Sequence, residues 1–171
     1  MNIGIGSSAV ISDCGKYRYR LDRHIDNSEN GIIIAYFGVN PSTADADIDD
    51  ATVRKWRGFT KKNGGSRFLV GNVFAFRSTD VKGLAGAEDP VGVLNESYLY
   101  QISREADVLV PCWGNIGKVP KSLRWQFRRT MELLRKTGKP IKIFGLTKNG
   151  SPKHPLMLGY KTELVEFNPT Q

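Results

Sequence analysis

Residues 31–37, with the sequence GIIIAYF, form an uninterrupted apolar run of the length of one β-strand. A strand with one face in solvent would alternate polar and apolar residues, and this run does not. The pattern is typical of a strand that is buried on both faces of a parallel sheet. Similar runs follow at residues 67–74, 107–112 and 139–145, and a weaker one at 161–167. The sequence thus predicts four buried strands and a fifth, weaker one.

Between these runs, residues recur at intervals of three and four, as they do along the buried face of a helix. The three series are Val53, Trp56, Thr60 and Asn63; Leu94, Tyr98 and Ile102; and Leu123, Phe127, Met131 and Leu134. This alternation predicts a three-layer α/β/α sandwich around a central, mostly parallel sheet of four to five strands. A turn at Cys14-Gly15 between two short β-prone runs predicts an N-terminal β-hairpin over residues 9–21. The length of 171 residues suits a single domain over residues 1–171.

The composition favours a polyanionic partner, because 25 Lys and Arg against 17 Asp and Glu leave a net charge of +8 at pH 7. DNA or RNA is the first partner to consider for such a chain. No apolar run reaches the roughly 18–20 residues that span a bilayer, and residues 1–10 lack a leader pattern. We therefore expect a cytoplasmic protein with no membrane partner, and a monomer. Because the chain has only two Cys and two His, no disulfide framework, metal site or cofactor is expected.

Ligands of open α/β sheets bind beyond the carboxyl ends of the strands, so the residues that follow each run are the site candidates. After the first run, Gly38 and Pro41 shape a tight loop, and Asn40 offers an amide donor and acceptor that can hold a water molecule. Ser42 and Asp45 follow in the same loop. Either of them can instead cap the next helix.

The later strand ends carry further polar and aromatic candidates. Asn72 can pair its amide with the edge of a nucleobase, or it can bond to neighbouring backbone. Trp113 can stack on a base or pack in the core. His154 lies in a loop between Pro152 and Pro155 and can donate a hydrogen bond to developing negative charge or act as a general acid or base. A lone His is also a common surface or capping residue.

The order of these motifs resembles an uncharacterised bacterial and phage family. That family is marked by Asn-Pro-Ser-Thr-Ala-Asp, a strand ending in Asn, a Trp-Gly pair and Gly-x-Pro-x-His-Pro-Leu, and all four occur between Asn40 and Leu156. The layout is also similar to the uracil-DNA glycosylase superfamily. The matching elements are Gly38-Val39-Asn40-Pro41, Asn72, Trp113-Gly114 and His154-Pro155-Leu156.

The second resemblance implies a uracil-DNA glycosylase-like fold and a hydrolase that cleaves the N-glycosidic bond of a nucleobase in DNA. A modified base is a better fit than uracil, because residues 157–160 differ from the superfamily segment that enters DNA. Asn40 would orient water, and His154 would donate to the departing base. Because an amide cannot remove a proton from water, either the reaction is strongly dissociative or Asp45 helps. Asn72 would read the base edge. The remaining residues expected at the substrate are Gly38, Pro41, Ser42, Phe74, Arg77, Trp113 and Pro155.

Two other functions are compatible with the same sequence. Asp45, Asp47, Asp49 and Asp50 can gather Mg²⁺ for a nucleotide hydrolase or transferase, or they can simply complement the dipole of the following helix. Alternatively, the chain is a non-catalytic nucleic-acid-binding module. Its basic residues would be Lys61, Lys62, Arg124, Arg128, Arg129, Arg135 and Lys136.

Arg77 has two interpretations of its own. It follows the predicted strand that contains Asn72 and can contact a phosphate. It can equally form a surface ion pair with Asp80.

Overall fold

The computed structural model describes residues 6–27 and 30–168 and shows an α/β protein with one five-stranded sheet. The strands and helices are β1 (Ser8–Ile11), β2 (Arg18–His24), β3 (Ile32–Gly38), α1 (Ala51–Lys62), β4 (Gly65–Asn72), α2 (Asn95–Glu105), β5 (Val108–Pro111), α3 (Trp125–Lys136), β6 (Lys142–Ile143) and β7 (Val165–Glu166). Short 3₁₀ turns occupy Val81–Gly86, Ile116–Lys118 and Lys121–Leu123. No helix among the described residues is long and apolar enough to cross a membrane.

The sheet is mixed, with the strand order β1-β2-β4-β3-β5. β3 pairs in parallel with β4 and β5, whereas β1–β2 and β2–β4 are antiparallel. The N-terminal hairpin is therefore confirmed as β1–β2. The prediction of a mostly parallel sheet is not confirmed, because the hairpin joins the free edge of β4 and contributes both of its strands to the same sheet.

The predicted strand at 139–145 is much shorter than expected. Only Lys142–Ile143 pairs regularly, with Val165–Glu166, in a separate two-stranded sheet. Ile141 makes a single parallel bridge to Leu109 of β5. Pro140 has no N–H to donate and Gly145 turns the chain at a φ of +112°, so a longer strand cannot form here.

Strand β3 is buried on both faces, as its apolar run predicts. Ile34 and Tyr36 face α1, and Tyr36 stacks on Trp56 with ring centroids 5.6 Å apart. Ala35 and Phe37 belong to the cluster that packs under α2 and α3. The alternating side chains of one strand therefore join two apolar layers, and the fold has helices on both faces of the sheet.

Helix α1 begins at the edge of the sheet where β3 and β4 end. The side chain of Asp50 accepts a hydrogen bond from the backbone N–H of Val53 at 2.9 Å and caps the helix. The helix ends before Gly64, whose φ of +74° suits glycine. The first turn of α1 thus lies beside the carboxyl ends of the parallel strands, where ligands of such sheets bind.

Candidate functional site

A cavity of about 240 Å³ lies at this edge of the sheet, between the ends of β3 and β4, the first turn of α1 and the loop that carries His154. The structure brings six of the predicted site residues together in its wall. They are Gly38, Asn40, Ser42, Asn72, Trp113 and His154.

Asn72 presents an unpaired amide to the cavity. It is only 3% exposed, and its side chain makes no hydrogen bond within residues 6–27 and 30–168. An amide that lines the cavity in this way can pair with a ligand through both its donor and its acceptor. Asn95, at the start of α2, donates its side-chain amide to the backbone carbonyls of Asn72 and Val73 at 2.9 and 3.1 Å and so fixes the end of β4.

Gly38 makes room for this amide. It lies opposite Asn72 in the β3–β4 register, and a Cβ atom at Gly38 would be 3.0 Å from Oδ1 of Asn72. A side chain at this position would push on the amide and fill the cavity. The Gly of the first predicted motif therefore has a steric role.

The side chain of Asn40 is fixed by two hydrogen bonds that its amide nitrogen donates. Its Nδ2 donates to the carbonyl oxygens of Pro41 at 3.1 Å and of Ser78 at 2.8 Å. Because both amide hydrogens are used, only Oδ1 remains for a ligand. Asn40 can therefore accept a hydrogen bond from a water molecule in the cavity.

His154 is arranged as a hydrogen-bond donor. Its Nδ1 accepts the backbone N–H of Leu156 at 3.1 Å, so the neutral ring carries its proton on Nε2. Burial lowers the pKa of His154, while the negative charge of Asp50 acts in the opposite direction. Burial thus favours the neutral ring, and His154 lines the cavity with an Nε2–H that can be donated.

A tight hairpin-like loop positions His154. Gly145 accepts the backbone N–H of Lys153 at 2.9 Å, and Thr147 donates its backbone N–H to Ser151 at 2.8 Å. These bonds close the loop after β6, so that its last residues reach back to the cavity.

The Trp113-Gly114 pair supports this loop from the other side. The backbone N–H of Gly114 donates to Pro152 at 2.8 Å, and a Cβ atom at Gly114 would lie 3.1 Å from Cβ of His154. The indole of Trp113 packs on Phe127 at 5.5 Å and also lines the cavity. Both predicted roles of Trp113, core and site, are therefore compatible with its position.

Three charged residues of the wall, Arg18, Asp50 and Lys118, were not among the residues predicted for the glycosylase site. Arg18 lies at the start of β2, and Asp50 combines its capping role with a place in the cavity wall. The sequence could have indicated Asp50, because an acidic residue at the start of a predicted helix follows a candidate loop. Nothing in the sequence indicates Arg18 as a site residue, because an Arg in a hairpin strand is ordinarily on the surface.

Four of the residues predicted to contact the substrate lie outside the cavity wall. Phe74 is fully buried in the core against Phe127, with ring centroids 5.7 Å apart. Pro41 and Pro155 are buried within their loops. Arg77 donates to the carbonyl of Gly15 at 3.3 Å. An ion pair of Arg77 with Asp80 is not among those formed in the described part of the chain.

Asp45, the predicted catalytic carboxylate, has a structural position instead. Its Oδ1 accepts the backbone N–H groups of Asp47 and Ile48, both at 2.9 Å. The bond from Asp47, above all, lowers the pKa of Asp45. The carboxylate shapes its own loop and does not line the cavity, because these bonds turn it towards the following residues.

The acidic cluster is divided among separate partners. Asp49 pairs with Arg23 at 2.7 Å and with Arg57 at 2.9 Å, and Asp50 caps α1. Asp47 is exposed. Within residues 6–27 and 30–168, no three or more His, Cys, Asp or Glu side chains are arranged to hold a metal ion. The predicted Mg²⁺ alternative therefore has no convergent ligand set in this part of the chain.

The chain belongs to a family described as "Protein of unknown function (DUF1643)", whose model matches residues 18–156. Predicted membership in an uncharacterised family is thereby confirmed. The match begins at Arg18 and ends two residues after His154, so it encloses the whole cavity wall. Neither a curated protein nor a solved structure matches the chain.

Proposed function

We propose that the protein is a DNA N-glycosylase, a hydrolase that cleaves the bond between a nucleobase and its sugar and leaves an abasic site. The observation that carries the proposal is the convergence of Asn40, Asn72 and His154 in one small cavity. Its volume of about 240 Å³ is below the roughly 300–1,000 Å³ of pockets for drug-sized ligands, and it suits a single base.

The placement of the four motif loops supports the resemblance to the uracil-DNA glycosylase superfamily. In that resemblance the Gly-x-Asn-Pro loop, the Asn that ends a strand, the Trp-Gly pair and the His-Pro-Leu loop all serve one pocket. Here residues from all four contribute to one wall.

In the proposed reaction the target base leaves the DNA stack and enters the cavity, at a cost of about a few kcal/mol. The unpaired amide of Asn72 pairs with the base edge. As the glycosidic bond breaks, its electron pair stays with the base, and the Nε2–H of His154 donates to the oxygen on which this charge develops. One donor of this kind contributes about 3–4 kcal/mol to transition-state stabilisation.

A water molecule is the nucleophile that forms the new bond to the sugar. Oδ1 of Asn40 accepts one water hydrogen and orients the oxygen towards the anomeric carbon, but an amide cannot remove a proton at neutral pH. The Asp50 carboxylate lines the same cavity and takes that proton, and it also faces the positive charge of the sugar. Asp50 therefore replaces Asp45 in the proposed mechanism.

Basic residues near the cavity support DNA as the partner. Lys118 lines the cavity, and Arg128 and Arg135 line a neighbouring groove of about 710 Å³ that shares Trp113. Phosphate contacts from such residues supply affinity without sequence preference and help to hold an extruded nucleotide.

The test is base release from a panel of duplex and single-stranded DNAs that carry normal, deaminated, methylated, hydroxymethylated and glucosylated bases. The assay contains a chelator and scores abasic sites and free base. We expect release from at least one substrate by the wild type, and its loss in Asn40→Ala and His154→Ala. Asn149→Ala, which changes an exposed Asn in the same loop as His154, is the control and should retain activity. Absence of release across the panel by the folded protein, or wild-type rates in a variant that combines Asn40→Ala and His154→Ala, would refute the proposal.

A further inference from the structure

Arg18 holds a buried positive charge in the cavity wall, and no carboxylate of the described residues forms an ion pair with it. The negative charge of Asp50, in the same wall, acts on Arg18 without forming an ion pair. Arg18 is 3% exposed. Nη1 donates to the carbonyl of Ala44 at 2.7 Å, and Nε is enclosed without an acceptor among residues 6–27 and 30–168. Burial lowers the pKa of Arg18 to about 10, so the guanidinium stays charged at neutral pH.

The same strand shows how this fold treats a buried Arg that has only a structural role. Arg23 is 1% exposed and pairs with Asp49 at 2.7 Å, and it also donates to the carbonyl of Asp22 at 3.0 Å. Taking a guanidinium out of water costs several kcal/mol unless a counter-charge and hydrogen bonds offset that cost. Arg23 has both, whereas the side chain of Arg18 has, in the described part of the chain, one hydrogen bond and no ion pair.

A β-bulge directs Arg18 into the cavity. In the β1–β2 pairing Val10 lies opposite Arg20 and Ile11 lies opposite Arg18, so Tyr19 is the additional residue. Residues two apart in a regular strand point to the same face. Here Arg20 bonds to Glu105 at 2.7 Å while Arg18 lines the cavity on the α1 side. Bulges commonly redirect a side chain beside a functional site.

We propose that Arg18 forms a subsite for an oxyanion of the substrate, either a phosphate or a carboxylate. Such a group would supply a counter-charge in direct contact, which Asp50 does not, and would accept hydrogen bonds from the guanidinium. The inference rests on the proposed function in taking the cavity as the substrate pocket, and it narrows the substrate class. The oxyanion belongs either to an acidic substituent of the base or to the phosphate of a nucleotide.

Binding to the intact protein tests this inference without any turnover. Trp56 and Trp113 line the cavity, so their fluorescence reports on occupancy. The probes are inorganic phosphate and two matched pairs, 5-carboxyuracil against thymine and thymidine 5′-monophosphate against thymidine, at constant ionic strength. We expect the charged member of at least one pair to bind tenfold or more tightly than its neutral partner. Preference for the carboxylate identifies an acidic base, and preference for the monophosphate identifies a nucleotide.

Arg18→Gln should abolish the preference for the charged probe, whereas Arg20→Gln, on the opposite face of the same strand, should retain it. If Arg18→Gln fails to fold, Arg18→Lys should weaken binding of the charged probe several-fold and leave the neutral probe unchanged. Equal affinity for both members of each pair, no binding of any charged probe, or a preference that survives the Arg18 substitutions would overturn the inference. If the protein binds charged probes through Arg18 but releases no base, the oxyanion subsite is supported and the proposed glycosylase activity is refuted.

Discussion

Gly114 lies directly against His154, whose Cβ, N and Cα are the heavy atoms nearest to the position of a Cβ at residue 114. The φ of Gly114 is +73°, and a Cβ atom there would come within 3.1 Å of Cβ of His154. The Trp-Gly motif and the His-Pro-Leu motif, which lie about forty residues apart in the sequence, are therefore parts of one arrangement.

Gly114→Ala should reduce the activity that depends on His154 more than it reduces the stability of the fold. The left-handed backbone adds about 1 kcal/mol of strain, and the new methyl group displaces the imidazole. We expect base release to fall at least tenfold and the NMR-measured pKa of His154 to change. Gly64→Ala is the matched control, because its φ is +74° and no atom lies within 4 Å of the added methyl group. Equal losses of activity in the two variants would show that strain alone is responsible.

Gly38→Ala should narrow the cavity at Asn72. The added Cβ would lie 3.0 Å from Oδ1 of Asn72, so the amide has to move and the base loses its partner. We expect at least a tenfold loss of base or nucleotide affinity, measured by Trp fluorescence, with a change in unfolding free energy near 1 kcal/mol. Gly86→Ala, where the methyl group meets no atom within 4 Å, should bind normally. Unchanged affinity in Gly38→Ala would contradict the proposal that Asn72 pairs with the bound base.

Asp50→Asn separates the capping role of this residue from its proposed chemistry. Asn caps helices about as well as Asp, so the unfolding free energy should change by only about 0.5 kcal/mol. The carboxylate is lost, and we expect base release to fall by about a hundredfold or more. Asp45→Asn keeps an oxygen for the N–H groups of Asp47 and Ile48 and should stay active. If Asp45→Asn were the inactive variant, the roles assigned to the two carboxylates would have to be exchanged.

Activity and stability should both fall in mild acid through His154. Burial lowers its pKa in the folded protein, so below the ordinary value near 6.5 the unfolded chain takes up the proton first. The contribution of this group to stability is therefore complete above about pH 6.5 and is lost as the pH falls through the lower folded-state pKa. Protonation also displaces the bond from Leu156 to Nδ1. NMR titration and urea unfolding at several pH values measure both effects, and His154→Gln should flatten the stability profile. A folded-state pKa at or above 6.5 would contradict this prediction.

The sequence predicts well what depends on neighbouring residues. The apolar run that contains Ile34 and Phe37 indicates burial on both faces, and the glycine at 64 indicates the end of α1, because each property is local. Asn40 and Asn72 are identified as candidates because they follow or end parallel strands, whose ends meet at one edge of a sheet. His154 follows the short strand β6 outside that sheet, and its loop reaches the same edge.

Features that depend on distant pairing are missed. The position of Arg18 follows from a one-residue bulge in β1–β2, and the mixed character of the sheet follows from the pairing of β2 with β4. The different positions of Asp45 and Asp50 follow from loop hydrogen bonds that the sequence shows only as a cluster of acids. Each of these features depends on how distant segments pair or bond in the folded chain, and the local sequence pattern does not report such pairing.

The cavity wall draws on β2, β3, β4, the first turn of α1 and the loop after β6, segments that are joined only in the complete fold. A molecule bound there acts as a non-covalent cross-link between the first and last parts of the domain. Because the unfolded chain lacks this arrangement, occupancy raises the free energy of unfolding of the whole domain in proportion to the logarithm of ligand concentration. Thermal unfolding thus offers a way to identify the natural ligand without any knowledge of the reaction.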